Sequence, residues 1–200
     1  MAKLEYVYYQ MALAAGINMM PSELRSYGNV SHFLTRRFDR VGNNRIHTQT
    51  LAAISPGSNS YEDLFAVIRR LNLPYEDSRQ QYLRMVFNVL ARNVDDHTKN
   101  FSFCMAPDGV WRLSPAYDLT YSVDFAAPAY LNRHSMSING KNENITLADL
   151  EIVALRNDIQ DYKSLIEIVS IAVSKFREYV VELKIDEQLI LEIESDFVKL

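Results

Sequence analysis

Apolar residues recur at helical spacing from the start of the chain: Leu4, Val7, Tyr8, Met11 and Ala14 predict a helix over residues 4–15. Gly16 supplies its stop and Pro21 begins extended chain. Residues 23–38 read as a hairpin, with Tyr27-Gly28-Asn29 as the turn and His32-Phe33-Leu34-Thr35 as the second strand. Loop follows through Asn43-Asn44, and a short helix is predicted over 48–54, ended by Ser55-Pro56-Gly57. Helices resume over 60–71 and again from Asp77 towards Asn93, the second carrying Tyr82, Val86, Val89 and Leu90 on one face. Pro107-Asp108-Gly109 then separates two short apolar runs, 101–105 and 110–113, which is a strong hairpin signal. Residues 118–144 are loop-like, and Thr146 is an N-cap before Leu147. The remainder, to Leu200, reads as a helical bundle whose best stripe is Leu165, Ile168, Val169, Ala172 and Phe176. The pattern predicts a mainly α chain with two small β-hairpins, an α+β class.

Composition narrows the picture only a little. Two hundred residues, 48% hydrophobic and 23% charged, suit one globular domain with a sizeable core. A net charge of -4 argues against a dedicated nucleic-acid binder, since Arg36, Arg37 and Arg40 make only a weak basic patch. No apolar run approaches the ~20 residues that span a bilayer, and residues 1–9 lack a secretory signal pattern. The lone Cys104 excludes an internal disulfide and a multi-cysteine zinc cluster. Cytoplasmic residence is the default expectation.

The chemistry concentrates in Asn93-Val94-Asp95-Asp96-His97-Thr98-Lys99-Asn100 at a helix end, followed by the hairpin and Ser114-Pro115-Ala116-Tyr117-Asp118. A solvated loop would account for the composition alone. The spacing argues for more. Protein kinases place a catalytic-loop Asp, four residues and then an Asn, with a metal-binding Asp further on. Asp95 and Asn100 have that interval, and Asp118 follows the hairpin. In this layout Asp95 reaches a substrate hydroxyl, while Asn100 and Asp118 offer hard oxygens to magnesium.

Asn93-x-Asp95-x-His97-x-Lys99-Asn100-x-Ser102, together with Leu113-Ser114-Pro115-Ala116-Tyr117-Asp118-Leu119, is similar to the signature of the HipA family of toxin kinases. Arg37-Phe38-Asp39-Arg40 resembles the family's hinge, and Ser137-Ile138-Asn139-Gly140-Lys141 resembles its carboxy-terminal part. The similarity covers nearly the whole chain and implies the carboxy-terminal lobe of a protein-kinase-like fold. It divides residues 1–200 into a hinge-side helix and hairpin (1–45), a catalytic core (46–145) and a carboxy-terminal bundle (146–200). It implies that Asp95 positions or deprotonates the acceptor hydroxyl and that His97 donates to the transferring phosphoryl. By the same resemblance Asn100 and Asp118 hold Mg2+ against ATP, Arg37 and Phe38 line the adenine side, and Asp39 accepts from the ribose. A helix-turn-helix antitoxin is the implied partner, and an aminoacyl-tRNA synthetase or the kinase's own serine is the implied acceptor.

The family's glycine-rich phosphate loop and strand Lys precede the helix that carries Glu5, and only four residues stand before Glu5. The expectation is therefore a chain without the amino-terminal lobe, weak in ATP binding and without appreciable phosphotransfer alone. Three other readings remain open: a pseudokinase remnant, a non-enzymatic partner-binding module, and a metal-dependent phosphohydrolase using Asp95, Asp96, His97 and Asp118. The first helix, apolar around most of its circumference, is expected to leave one face for homodimerisation or for a separately encoded amino-terminal lobe.

Overall fold

The first helix, α1 (Ala2–Ala14), buries Leu4, Val7, Tyr8, Met11 and Ala12. The predicted stripe holds except at its end, where Ala14 is exposed and Ala15 is buried instead. The computed structural model describes residues 1–124, 126–128 and 132–199. After α1 come a hairpin of β1 (Ser22–Tyr27) and β2 (Val30–Thr35), and a two-residue ribbon of β3 (Arg40–Val41) and β4 (Asn44–Arg45). That ribbon lies where loop was expected.

The predicted helix over 48–54 is corrected in its first half. Residues His47–Thr50 form a strand, β5, and only Leu51–Ile54 is helical, as α2. Thr50 is the N-cap, its side-chain oxygen accepting from the Ala53 amide at 3.3 Å. The strand exists because the later hairpin offers it an edge: β5 pairs antiparallel with β6 (Ser102–Met105), which pairs with β7 (Trp111–Leu113). The β6–β7 turn closes where sequence placed it, with Gly109 at φ +85 and the Asp108 carboxylate accepting from the Val110 amide.

Helices α3 (Tyr61–Arg70) and α4 (Tyr75–Leu90) follow α2. From Gln81 to Leu90 every residue of α4 is buried, as befits a helix packed on all sides. It lies against α3, β7 and α6 (Tyr162–Ser174). Truncating a fully buried anchor here, such as Phe87 to Ala, removes about 3–5 kcal/mol. The carboxy-terminal part holds α5 (Leu147–Arg156), α6, α7 (Phe176–Val180) and α8 (Glu187–Asp196). Thr146 caps α5 as predicted, in a reciprocal capping box with Asp149. In α6 the buried face is Leu165, Ile166, Val169, Ala172 and Val173, so Ile168 points outward, 40% exposed.

Helix α1 is covered on two sides, by β1 and β2 and by α6 and α7. Tyr8 adds a third contact, stacking edge-on to Phe87 and donating its hydroxyl to the Ala91 carbonyl. Tyr6 and Tyr9 are half-buried, and within α1 the one large apolar side chain that is mainly exposed is Leu13, at 45%. The apolar face expected of this helix, Ala2, Tyr6, Tyr9 and Leu13, is half-covered rather than fully exposed. One hydrophobic cluster runs from Leu4 to Phe197 and joins α1, the helices that follow it and the β6–β7 hairpin. Among the described residues no helix is long and apolar enough to cross a membrane.

Candidate functional site

The chain leaves α4 through Arg92 at φ +57, and Asn93 turns back to bond Asn88 through both its backbone and its side-chain amide. Two neighbouring carboxylates then part company. Asp96 points inward, is fully buried, and accepts from the Tyr61 hydroxyl at 2.8 Å and the Ser135 amide at 2.8 Å. His134 Nδ1 lies 2.9 Å from the same carboxylate. Asp95 points outward with 63% of its side chain exposed, 4.0 Å from His97 Nε2. Its backbone is fixed from behind, because Ser122 Oγ accepts from the amides of Val94 (2.7 Å) and Asp95 (3.0 Å). In front, the Asn100 amide donates to the Asp95 carbonyl at 2.9 Å, closing the loop across the predicted interval. His97 Nδ1 is buried without a partner among the described residues.

The second arm arrives along the hairpin. Ser114 continues the ladder by donating to the Ser102 carbonyl, and buried Arg84 donates to the Ser114 carbonyl at 2.6 Å. Burial pushes the Arg84 guanidinium down to about 10, against the attraction of Asp77. Tyr117 then donates to the Lys99 carbonyl at 2.7 Å and bonds Ser102 Oγ, which fastens this segment to the residue before Asn100. Asp118 follows at φ +57, an unusual backbone for a side chain that is not glycine, though Asp tolerates it. Exposed Asp118 lines a cavity of about 270 Å³ with Glu5, Met19, Phe33 and Thr35. Burial, reinforced by the charge of Asp118, raises the Glu5 carboxyl above its ordinary range.

A second cavity of about 260 Å³ opens on the other side of Tyr117, lined by Met20, Arg36, Arg37, Phe38, Asp39 and Thr48. Phe38 stacks on Tyr117 with ring centres 5.6 Å apart and planes 27° apart. Asp39 is already engaged: Arg37 binds it through two nitrogens and Arg40 through one. The Arg37 hydrogen bonds hold its carboxyl below the usual carboxylate range.

The structure thus joins Asp95 and Asn100 directly, sets His97 beside Asp95, and gathers Arg37, Phe38 and Asp39 around the cavity next to Asp118. Among the described residues no hydrogen bond links Asn100 to Asp118, and the two arms meet instead through Tyr117 and Lys99. The donor set suits a hard cation. The Asn100 carbonyl oxygen and the Asp118 carboxylate have no hydrogen-bond partner among the described residues, which leaves neutral and anionic oxygens available for magnesium. Asp96 does not fit the phosphohydrolase set, because its oxygens are consumed in the interior. Sequence reasoning missed Ser122 and His134, which hold the loop from a distant segment, and nothing in their local sequence marks them. Glu5 was recognised, but not its place in the Asp118 cavity.

A family model for the HipA-like C-terminal domain matches residues 1–182. The Y4mE protein of Sinorhizobium fredii, provisionally named a kinase, is 28% identical over 158 residues, covering 71% of this chain and 36% of its own length. Among solved structures, HipA of Shewanella oneidensis MR-1, from its complex with HipB and operator DNA, superposes with a TM-score of 0.69 at 19% identity. That match covers 96% of this chain and 52% of the HipA chain. The proinflammatory kinase CtkA of Helicobacter pylori superposes with a TM-score of 0.58 at 13% identity, over 96% of this chain and 88% of CtkA. The chain spans about a third of the Sinorhizobium relative and half of the Shewanella chain, and its fold is of the α+β kinase-like type.

Proposed function

As the chain belongs to the HipA-like C-terminal domain family, we propose that it is the metal- and phosphate-handling lobe of a HipA-like serine/threonine kinase, transferring the γ-phosphoryl of ATP to a protein serine. Asp95 takes the proton of the attacking hydroxyl, whose oxygen forms the new P–O bond as the bond to the leaving ADP breaks. His97 donates to the transferring phosphoryl. Asn100 and Asp118 hold magnesium, which when bound neutralises phosphate charge. Phe38 and Arg37 receive the adenine. Asp39 reaches a ribose only by giving up one of its arginine partners. The observation that carries this reading is the Tyr117–Lys99 bond, which ties the Asp118 arm to the loop bearing Asp95 and Asn100, with a stacked aromatic cavity alongside.

In this reading the phosphate cover and its Lys come from an amino-terminal lobe. The protein acts in the cytoplasm within a toxin–antitoxin system, with a helix-turn-helix antitoxin as partner and an aminoacyl-tRNA synthetase as acceptor. The test is calorimetric titration of ATP with and without magnesium into the chain, alone and with a candidate amino-terminal lobe. Magnesium-dependent binding that Asp118→Ala abolishes supports the proposal, as does phosphotransfer that needs Asp95. ATP binding that ignores both magnesium and Asp118, or none even with the lobe supplied, overturns it.

A further inference from the structure

Helix α8 and the residues after it lie beyond the stretch that the family model matches, yet they end on the support of Asp95. Asp196, the last residue of α8, receives two hydrogen bonds on one oxygen: Arg92 Nε donates at 2.9 Å and the Tyr121 hydroxyl at 2.9 Å. Those donors belong to the two strands of chain that converge behind the loop. Arg92 is the left-handed residue through which the chain leaves α4, one position before Asn93. Tyr121 immediately precedes Ser122, whose hydroxyl accepts from the Val94 and Asp95 amides and donates to Asn93 Oδ1. A single carboxylate therefore clamps the entry of the loop to its backstop. Two further contacts seat the clamp. The Val198 amide donates to the Leu90 carbonyl at the end of α4, and Phe197 stacks edge-on to Phe176 at 5.1 Å. Arg177 pins α8 itself by reaching both Glu187 and Glu194.

We propose that Asp196 is a positioning residue for Asp95: the carboxy-terminal helix acts as a strap that fixes the height and orientation of the Asp95 loop through Arg92 and Tyr121. Asp95 itself makes few side-chain contacts, so its placement depends on the backbone amides that Ser122 holds. Ser122 holds them from a segment that the Tyr121–Asp196 bond helps to anchor. A flexible loop here would misplace the carboxylate by fractions of an ångström, the kind of error that lowers rate without lowering affinity. The catalytic consequence rests on the kinase reading, but the mechanical one does not.

The test is residue-resolved amide hydrogen exchange on the full chain, comparing the natural protein with Asp196→Ala, Asp196→Asn and Tyr121→Phe. Losing a charged hydrogen-bond acceptor should speed exchange at the Val94 and Asp95 amides about tenfold, while α3 and α6 stay within about twofold. Asp196→Asn, which keeps an acceptor oxygen, should restore part of the protection. If Asp196→Ala does not fold, Tyr121→Phe, which deletes one oxygen and no packing, must give the same local pattern. Faster exchange everywhere, or unchanged exchange at Val94 and Asp95, overturns the proposal. Where phosphotransfer is measurable, kcat should fall in Tyr121→Phe with the KM for ATP unchanged. Absence of phosphotransfer in every form even with an amino-terminal lobe present would count against the kinase reading and leave the exchange result standing.

Discussion

Asp95 keeps 63% of its side chain in water, while Asp96, one residue on, has none of its side chain exposed and is held by Tyr61, His134 and the Ser135 amide. Both are carboxylates on the same loop, so the difference lies in what surrounds them. A buried carboxylate is tolerable only when donors replace the water it lost, and Asp96 has them. An exposed carboxylate remains free to meet a ligand, and Asp95 stays exposed at the cost of being placed mainly by its backbone. The interior residue makes the loop; the outer one is available for chemistry.

The largest consequence is in stability. Asp96→Ala leaves the Tyr61 hydroxyl and His134 Nδ1 without their carboxylate partner and takes from the Ser135 amide one of its two acceptors, and should cost about 3–5 kcal/mol or prevent folding. Asp95→Ala should change stability by no more than about 0.5 kcal/mol, as for other solvent-facing positions. Denaturant midpoints of the two variants measure the contrast directly. Equal losses would mean that Asp95 also belongs to the scaffold.

A second buried carboxylate, Asp149, extends the contrast away from the site. Burial opposes its ionisation, but hydrogen bonds from Lys141, Asn139 and Thr146 outweigh that and hold its carboxyl well below the usual range. A folded-state value below the unfolded one means that the stabilisation is full above about pH 4 and is lost as pH falls further. Asp149→Ala should cost about 1–3 kcal/mol at pH 7, and its deficit should shrink on acidification below pH 4. Urea melts at pH 7 and pH 3 follow it. A deficit that grows in acid contradicts the assignment.

Tyr117 connects the two kinds of environment, and its hydroxyl is the link between the arms. Tyr117→Phe removes the bonds to the Lys99 carbonyl and to Ser102 Oγ and should cost about 1–3 kcal/mol, with little change in the Phe38 stack. Magnesium-dependent nucleotide binding should weaken more than the stability does, since the Asp118 arm is no longer fastened beside Lys99. Weakening confined to magnesium-free binding would place the role of Tyr117 on the adenine side.

Much of this was legible in the sequence. The spacing of Leu4, Val7, Tyr8 and Met11, the Tyr82, Val86, Val89 and Leu90 face of α4 and the Pro107-Asp108-Gly109 turn are local signals, and local structure answers to them. Strand β5 was not legible. Thr48 and Thr50 suit a helix start as well as an edge strand, and the choice is made by a partner at Ser102–Cys104, more than fifty positions away. Sequence singled out Asp95 by its interval to Asn100 and gave Asp96 a role only in the phosphohydrolase reading, but it did not show that Asp96 is interior. Only the convergence of Tyr61 and His134, from opposite ends of the loop-rich middle, decides which of them is buried.

The smallest expected effect concerns Glu5, which stands between the two extremes. It is partly buried beside an exposed carboxylate, and burial first, then the Asp118 charge, raises its carboxyl, while the amino terminus pulls it down. A folded-state value above the unfolded one means that Glu5 favours the folded chain only while protonated. That contribution is complete below about pH 4 and is lost as pH rises through the folded value. At pH 7 the ionised side chain is therefore a net burden, and Glu5→Gln should stabilise. Solvent screening of so open a site limits the gain to about 0.5 kcal/mol, or roughly 1–2 °C in melting temperature. At pH 4 the gain should vanish. Magnesium should narrow it at pH 7, because a cation on Asp118 removes the repulsion that Glu5 feels. Thermal melts of both proteins at the two pH values, with and without magnesium, give all of these terms. A Glu5→Gln variant that is less stable at pH 7 would show that the attraction of the terminal amine exceeds the repulsion from Asp118. Glu5 would then belong with Asp96 among the residues that build the fold.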